Sequence, residues 1–187
     1  MQHTLLAIQV FLGLPEATPL HGHLLQLLHQ APESAHFGQK NNYYRAVAHA
    51  MRPFTMQFIR GVWDYVEDPA KAQFEWQDWI QGTMRDAAAP RDDQGPYRGG
   101  RSYMFMTMLV LMRKGSVSDR TVCELCRMPE EQMWQRQTMM RIIDGASQLN
   151  FSQVRGDALY LRPGLSTGSV TEEELGEEHY EYLQQLV

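Results

Sequence analysis

Two cysteines and a group of histidines are the residues whose types and spacing could support chemistry. In Cys123-Glu-Leu-Cys126 the thiols lie three positions apart, so on a helix they share a face. They could form a redox pair or half of a zinc site. A structural zinc needs four ligands, and neither a second cysteine pair nor a nearby histidine supplies the rest. The cysteines are flanked by Val122 and Leu125, so the pattern favours buried structural cysteines and no metal.

The other candidate motifs also lack the partners that their chemistry requires. His21-Gly-His23 would converge on one metal only in an extended segment, and no carboxylate pattern accompanies it. The glycine-rich segment 95–100 lacks the Gly-Lys-Ser/Thr ending of a phosphate loop. We find no paired carboxylates in an apolar setting and no nucleophile with a local base. The sequence therefore predicts that the protein is not an enzyme and binds no cofactor.

Composition predicts a globular protein of the cytoplasm. Of the 187 residues 43% are hydrophobic and 21% are charged, which suits one domain, or two small domains that share a core. The longest apolar run, residues 103–112, is shorter than the roughly 20 residues that a membrane span needs, so we expect no membrane insertion. Residues 1–14 lack the basic start of a signal peptide, and two cysteines without a secretion signal indicate a reducing compartment.

Apolar periodicity predicts a mainly α fold with a helical N-terminal half. Residues 4–14 fit either a buried strand or a short helix, and the pattern does not separate the two. Helices are predicted over residues 21–30, 40–51, 54–66 and 69–86. The expected division is 1–90 as a helical region, 91–101 as a loop or linker, 102–164 as a second region and 165–187 as an acidic tail with a short helix.

The second region has a pattern of helix, helix, turn, helix and β-hairpin. An apolar segment runs to Arg113-Lys-Gly115, and helices are predicted over residues 118–127 and 130–143. Two short extended segments flank Gly156-Asp157. Over residues 102–163 this order resembles the winged helix-turn-helix superfamily. The resemblance implies a winged-helix-like second half with a short β-hairpin as its wing.

A second resemblance extends over more of the chain. Ile8-Gln-Val10, the segment 103–115 and Val170-Thr-Glu-Glu-Glu-Leu175 are similar in type and order to a cyanobacterial and plastid family of unknown function. Members of that family usually carry a membrane segment, which this sequence lacks. The resemblance implies no particular chemistry.

One side of the predicted third helix is the candidate binding surface. At 100° per residue, Trp134, Gln137, Thr138 and Arg141 form a stripe opposite the apolar side. A tryptophan on such a stripe suits a desolvated protein contact. The favoured function is therefore a non-catalytic protein–protein interaction or adaptor module, including self-association. The alternative is a winged-helix DNA-binding transcriptional regulator, with Gln137, Thr138 and Arg141 facing the groove and with Arg155 and Arg162 of the wing on phosphates.

Charge disfavours nucleic acid as the partner. The net charge is −5, and residues 165–187 contain six glutamates and no lysine or arginine. Residues 101–164 contain nine basic and six acidic residues, a balance of +3. Thr171 and Glu174 have the spacing of a capping box, and Leu175, Tyr180, Leu183 and Leu186 give the tail an apolar side. We expect the tail to dock as a short helix with its glutamates near Arg155 and Arg162.

Overall fold

The structure, a computed structural model, describes residues 2–32, 36–88, 101–164 and 168–187. Its strands are β1 (His3–Gly13), β2 (Phe58–Val66), β3 (Ser102–Arg113), β4 (Val154–Arg162), β5 (Val170–Thr171) and β6 (Gln184–Gln185). Its helices are α1 (Leu14–His29), α2 (Phe37–Met51), α3 (Pro69–Ala88), α4 (Val117–Cys126), α5 (Glu130–Met133), α6 (Arg136–Ser147) and α7 (Glu172–Leu175). Short 3-10 helices form over Arg52–Gln57, Phe151–Gln153 and Glu178–Tyr180.

An antiparallel sheet organises these elements. Its strand order is β4-β3-β1-β2-β6, and β5 pairs with β3 beyond β4. β1 lies between β2 and β3, with Ile8 opposite both Trp63 and Met108. Residues 1–90 and 102–164 therefore contribute neighbouring strands to one sheet.

The predicted mainly α fold with a helical N-terminal half is wrong, because the chain has a mixed α/β fold whose sheet starts at the N-terminus. Residues 4–14, for which the pattern allows a strand or a short helix, are mostly strand β1. Residues 103–112, expected to begin the winged-helix-like half as a helix, form the buried centre of β3. A strand covered on both faces is apolar throughout, so it has no polar alternation that would distinguish it from a buried helix.

Two further segments differ from their predicted structure. Residues 54–66 form part of a 3-10 helix and strand β2; the β-branched and aromatic residues Val62, Trp63 and Val66 favour a strand despite their near-helical spacing. The predicted hairpin does not turn at Gly156-Asp157. β4 instead continues through these residues and pairs with β3, with Gly156 opposite Leu111 and a bulge at Arg155. The predicted loop 91–101 lies, apart from Arg101, outside the described residues.

Both faces of the sheet are covered. We define the first face as the one that carries Ile8 and Met108; helices α1, α2, α4 and α6 pack on it around the largest core cluster. The second face carries Leu5 and Phe11. Helix α3 covers the end of the second face near Leu5, and residues 170–183 cover the end near Phe11.

The C-terminal segment docks, although most of it is not helical. Thr171 and Glu174 form the expected capping box, but α7 ends at Leu175. The chain then continues through a 3-10 helix to β6, which pairs with β2. Every member of the expected apolar side is buried: Leu175, Tyr180, Leu183 and Leu186.

Candidate functional site

Strand β4 forms one edge of the sheet. Among the residues that the structure describes, β4 pairs only with β3, so the backbone groups on its other side have no strand partner. Its first seven residues are exposed or half-buried, whereas β3 beside it is buried from Ser102 to Met112. Most proteins shorten, charge or cover such an edge, because an open one pairs readily with another strand.

The side chains of β4 alternate between the two faces. Leu159 and Leu161 point to the first face, opposite Met108 and Met106 of β3. Ala158 and Tyr160 point to the second face and remain half-buried. Between Asp157 and Arg162 the strand carries no charged residue, so this part of the edge lacks the usual electrostatic protection.

An ion pair fixes β4 from the first face. Asp157 pairs with Lys40 of α2, and it accepts a hydrogen bond from the Tyr44 hydroxyl at 3.0 Å. The ring of Tyr44 stacks on Phe151, with centroids 4.8 Å apart. The neighbouring Tyr43 hydroxyl is buried without a hydrogen-bond partner in the described ranges, and burial together with the charge of Asp157 raises the pKa of Tyr43 to about 12. Through Asp157, these side chains connect the edge strand to α2.

The ends of the β4 edge carry opposite charges. Arg155 is exposed at the N-terminal end, close enough to His3 to add to the effect of burial in lowering the pKa of that histidine. Beyond the C-terminal end, β5 pairs with Ser102 and Tyr103 of β3 on the side that β1 leaves free, so β5 continues the line of β4. Helix α7 follows β5 directly, and its Glu172 and Glu173 are exposed.

Arg162 does not contribute free positive charge to this edge, because it is buried and paired. Its Nη2 donates to Glu174 Oε1 at 2.8 Å, and its Nε donates to the carbonyl of Gly168 at 3.1 Å. Burial acts to raise the pKa of Glu174, but the Thr171 backbone N–H and the Arg162 guanidinium overcome it and lower that pKa. Glu174 therefore stays ionised and neutralises Arg162.

The predicted stripe on the third helix is not continuous in the structure. The predicted helix is divided, with α5 ending at Met133 and α6 beginning at Arg136. Trp134 lies in the break, where its ring packs 6.2 Å from that of Trp63. Its carbonyl also accepts a hydrogen bond from the backbone N–H of Val187 at 3.0 Å. Thr138 is buried, which leaves Gln137 and Arg141 as the exposed members of the stripe.

The residues assigned to a DNA-binding surface are likewise separated. Gln137 and Arg141 lie on α6 over the first face, whereas Arg155 lies on the sheet edge. Thr138 and Arg162 are buried. The six candidates therefore do not share one accessible surface.

The cysteines are free, and the local environment of Cys126 opposes thiolate chemistry. Burial, reinforced by Cys123 and Asp64, raises the pKa of Cys126 to about 12. Because the thiolate is the reactive form, this thiol is a weak nucleophile and a weak metal ligand at neutral pH. His21 and His23 lie on helix α1 rather than on an extended segment, and His21 Nε2 donates to the Pro163 carbonyl at 2.7 Å.

The described ranges contain neither a metal-binding cluster nor a membrane span. No group of three or more histidine, cysteine, aspartate or glutamate side chains is arranged to hold a metal ion there. No helix in those ranges is long and apolar enough to cross a membrane.

An open cleft of about 490 Å³ lies between α2 and α6. Arg45, His49 and Arg52 line one side of the cleft, and Asp144 pairs with Arg52 at 2.8 Å from the other. Both helices end beside it, so the basic side chains offset the partial negative charge of two helix C-termini. The charge of the cleft thus has a structural explanation.

The β4 edge was not predicted from the sequence, because Gly156 and Asp157 have the composition of a turn. The signal that could have identified it is the composition of residues 158–161, Ala-Leu-Tyr-Leu, which favours a strand and carries no charge. Compared with models of known protein families, with curated proteins and with solved structures, the chain shows no significant match.

Proposed function

We propose that the chain is a non-catalytic protein-interaction module that uses the outer edge of β4 as its binding surface. The observation that carries the proposal is the edge itself: a nine-residue strand, unpaired on one side within the described residues and uncharged over residues 158–161. An extended partner segment can add to such an edge through main-chain hydrogen bonds, while pockets for alternate side chains provide specificity.

The chemistry of the described side chains supports a binding function over catalysis. The half-buried carboxylate of Asp157 is occupied by Lys40 and Tyr44, and the buried carboxylate of Asp119 by Thr4, Tyr65 and the Gly115 backbone. The raised pKa of Cys126 disfavours a nucleophilic role. Two free cysteines also suit the reducing cytoplasm, which we propose as the compartment.

The alternative proposal, a DNA-binding regulator, has less support from the geometry. Its candidate contacts Thr138 and Arg162 are buried, and the exposed Arg141 and Arg155 lie on different elements, α6 and the edge strand β4. The salt dependence of DNA binding tests this alternative, since binding through several phosphates weakens by orders of magnitude between low and physiological salt.

Site-specific photocrosslinking tests the proposed surface. A photoreactive benzoyl-phenylalanine is placed at Tyr160 on β4, and in a matched variant at Gln137 on α6. We expect protein adducts from position 160 in an extract of the native host and few from position 137. Adducts from position 137 alone would place the binding surface on α6 and contradict the proposal.

A further inference from the structure

The charge distribution along the β4 edge indicates which kind of strand would pair with it. This inference rests on the proposed function. The edge has Arg155 at its N-terminal end, and at its C-terminal end Glu172 and Glu173 outnumber the exposed Arg101, which directly precedes β3. A partner strand that runs antiparallel to β4 must therefore present its own basic end to the glutamates and its acidic end to Arg155. A second copy of β4 has this distribution.

We propose that two copies of the chain pair through β4, antiparallel and around a two-fold axis, to form one continuous sheet. A two-fold interface uses the same patch on both subunits, so the edge must be complementary to itself. In the antiparallel arrangement each Arg155 approaches the acidic end of the other copy. A parallel arrangement would bring the two Arg155 side chains together and the two α7 helices together, so charge selects the antiparallel orientation.

The side chains of β4 fit this partner on both faces. Antiparallel pairing joins the first face of one copy to the first face of the other, so Leu159 and Leu161 of both copies extend one apolar layer. With the two-fold axis at Tyr160, that half-buried side chain meets its equivalent on the second face, and on the first face each Leu159 lies opposite Leu161 of the other copy. The ion pair of Asp157 with Lys40 lies on the first face, and the bulge at Arg155 leaves the regular part of the strand, residues 156–162, for pairing.

Sedimentation of the purified full chain tests the pairing. We expect a reversible monomer–dimer equilibrium between about 1 and 100 μM, the range of a modest protein–protein affinity. Residue-resolved amide exchange should slow with concentration at alternate residues of β4, those whose N–H groups point away from β3. A chain that remains monomeric throughout this range, with no change in exchange of β4, would overturn the proposal.

Charge reversal provides the specific test. Arg155→Glu should weaken the dimer by about tenfold or more, because it places like charges at both ends of the interface. A variant that carries Glu172→Lys and Glu173→Lys should weaken it similarly. Mixing the two variants should restore dimers of mixed composition, since each then meets the opposite charge. Arg141→Glu on α6 is the matched control and should leave the dimer unchanged.

The two proposals fail in different ways. A weakened dimer that mixing does not restore would show that β4 ends do not meet, and the antiparallel arrangement would be wrong. A monomeric chain whose position 160 crosslinks to a different protein would contradict pairing of two copies but agree with the proposed function. A monomeric chain with no adduct at position 160 would contradict both the pairing of two copies and the proposed function.

Discussion

The indole of Trp76 lies directly over Gly156, so that a Cβ built on the glycine would come 3.0 Å from Trp76 Cζ2. Trp76 belongs to α3 and Gly156 to β4, so this contact fixes the helix of the second face against the edge strand. Glycine at this position therefore leaves room for the close approach of the indole, even though its position in the sequence resembles a turn.

The first prediction concerns this contact. Gly156→Val should lower the free energy of unfolding by about 1–3 kcal/mol, because the added methyl groups overlap the indole. Urea denaturation measures the change. Combining Gly156→Val with Trp76→Ala should cost less than the sum of the two single changes, since the overlap disappears with the indole. Additive costs would show that Trp76 does not lie over Gly156 in solution.

The second prediction concerns Asp119, whose carboxylate joins three parts of the chain. Oδ1 accepts from the hydroxyls of Thr4 and Tyr65, each at 2.6 Å, and Oδ2 accepts from the Gly115 backbone N–H at 2.7 Å. Asp119→Ala should destabilise the protein by about 3 kcal/mol, because buried donors lose a charged acceptor. Tyr65→Phe, which removes one donor, should cost about 1–2 kcal/mol.

An exposed aspartate on β2 provides the control for Asp119. Asp64→Asn should change the free energy of unfolding by less than about 0.5 kcal/mol, as is usual for a surface substitution. If Asp119→Ala were as mild as Asp64→Asn, the carboxylate would not be the junction of β1, β2 and the turn before α4.

How far the sequence predicts the structure depends on whether local or distant contacts determine each element. A helix is predicted over residues 118–127 from local signals, and α4 occupies nearly the same residues, although its N-cap is Ser116 and not Ser118. The capping box of Thr171 and Glu174 is equally local. Strand β3 is determined by β1 and β4, which are far from it in the sequence. Its own residues show no polar alternation from which a strand could be inferred.

The candidate site was missed for the same reason. Gly156-Asp157 has the composition of a turn, yet Gly156 accommodates Trp76, and Asp157 binds Lys40 from a helix more than a hundred residues earlier. Conversely, Trp134 has the spacing of an exposed stripe, but Trp63 covers part of its ring. None of these three neighbours, Trp76, Lys40 or Trp63, can be inferred from spacing within one segment.

The third prediction is that two adjacent tyrosines respond oppositely to loss of the hydroxyl. Tyr44 donates to Asp157, so Tyr44→Phe should destabilise the protein by about 1.5–3 kcal/mol, as expected for a hydrogen bond to a charged group. The Tyr43 hydroxyl is buried and has no partner among the described residues. Tyr43→Phe should therefore be neutral or stabilising, by up to about 1 kcal/mol, because it removes a desolvated polar group. Thermal denaturation of the matched pair distinguishes the two signs.

Tyr43→Phe should also change how the stability of the protein depends on pH. The pKa of Tyr43 is raised from 10.0 to about 12 in the folded protein. The neutral form is therefore favoured on folding: this contribution to stability is present below pH 10 and is lost as pH rises towards 12. Tyr43→Phe should show a shallower loss of stability across that window than the wild type. An identical slope would mean that Tyr43 ionises normally in the folded state.

The last prediction concerns the docking of the C-terminal segment at Leu186. Leu186 is buried in the main core, and its backbone N–H donates to the Ile59 carbonyl at 2.9 Å. Gly61 of β2 makes room for it, because a Cβ there would come 3.2 Å from Leu186 Cδ1 and 2.8 Å from Met139 Cε. Leu186→Ala should cost about 2–4 kcal/mol, the range for a buried leucine, and Gln185→Ala, at an exposed position, less than about 0.5 kcal/mol. Urea midpoints of the two variants, measured with the wild type, check the difference. Equal midpoints would mean that the segment does not pack against β2 in solution.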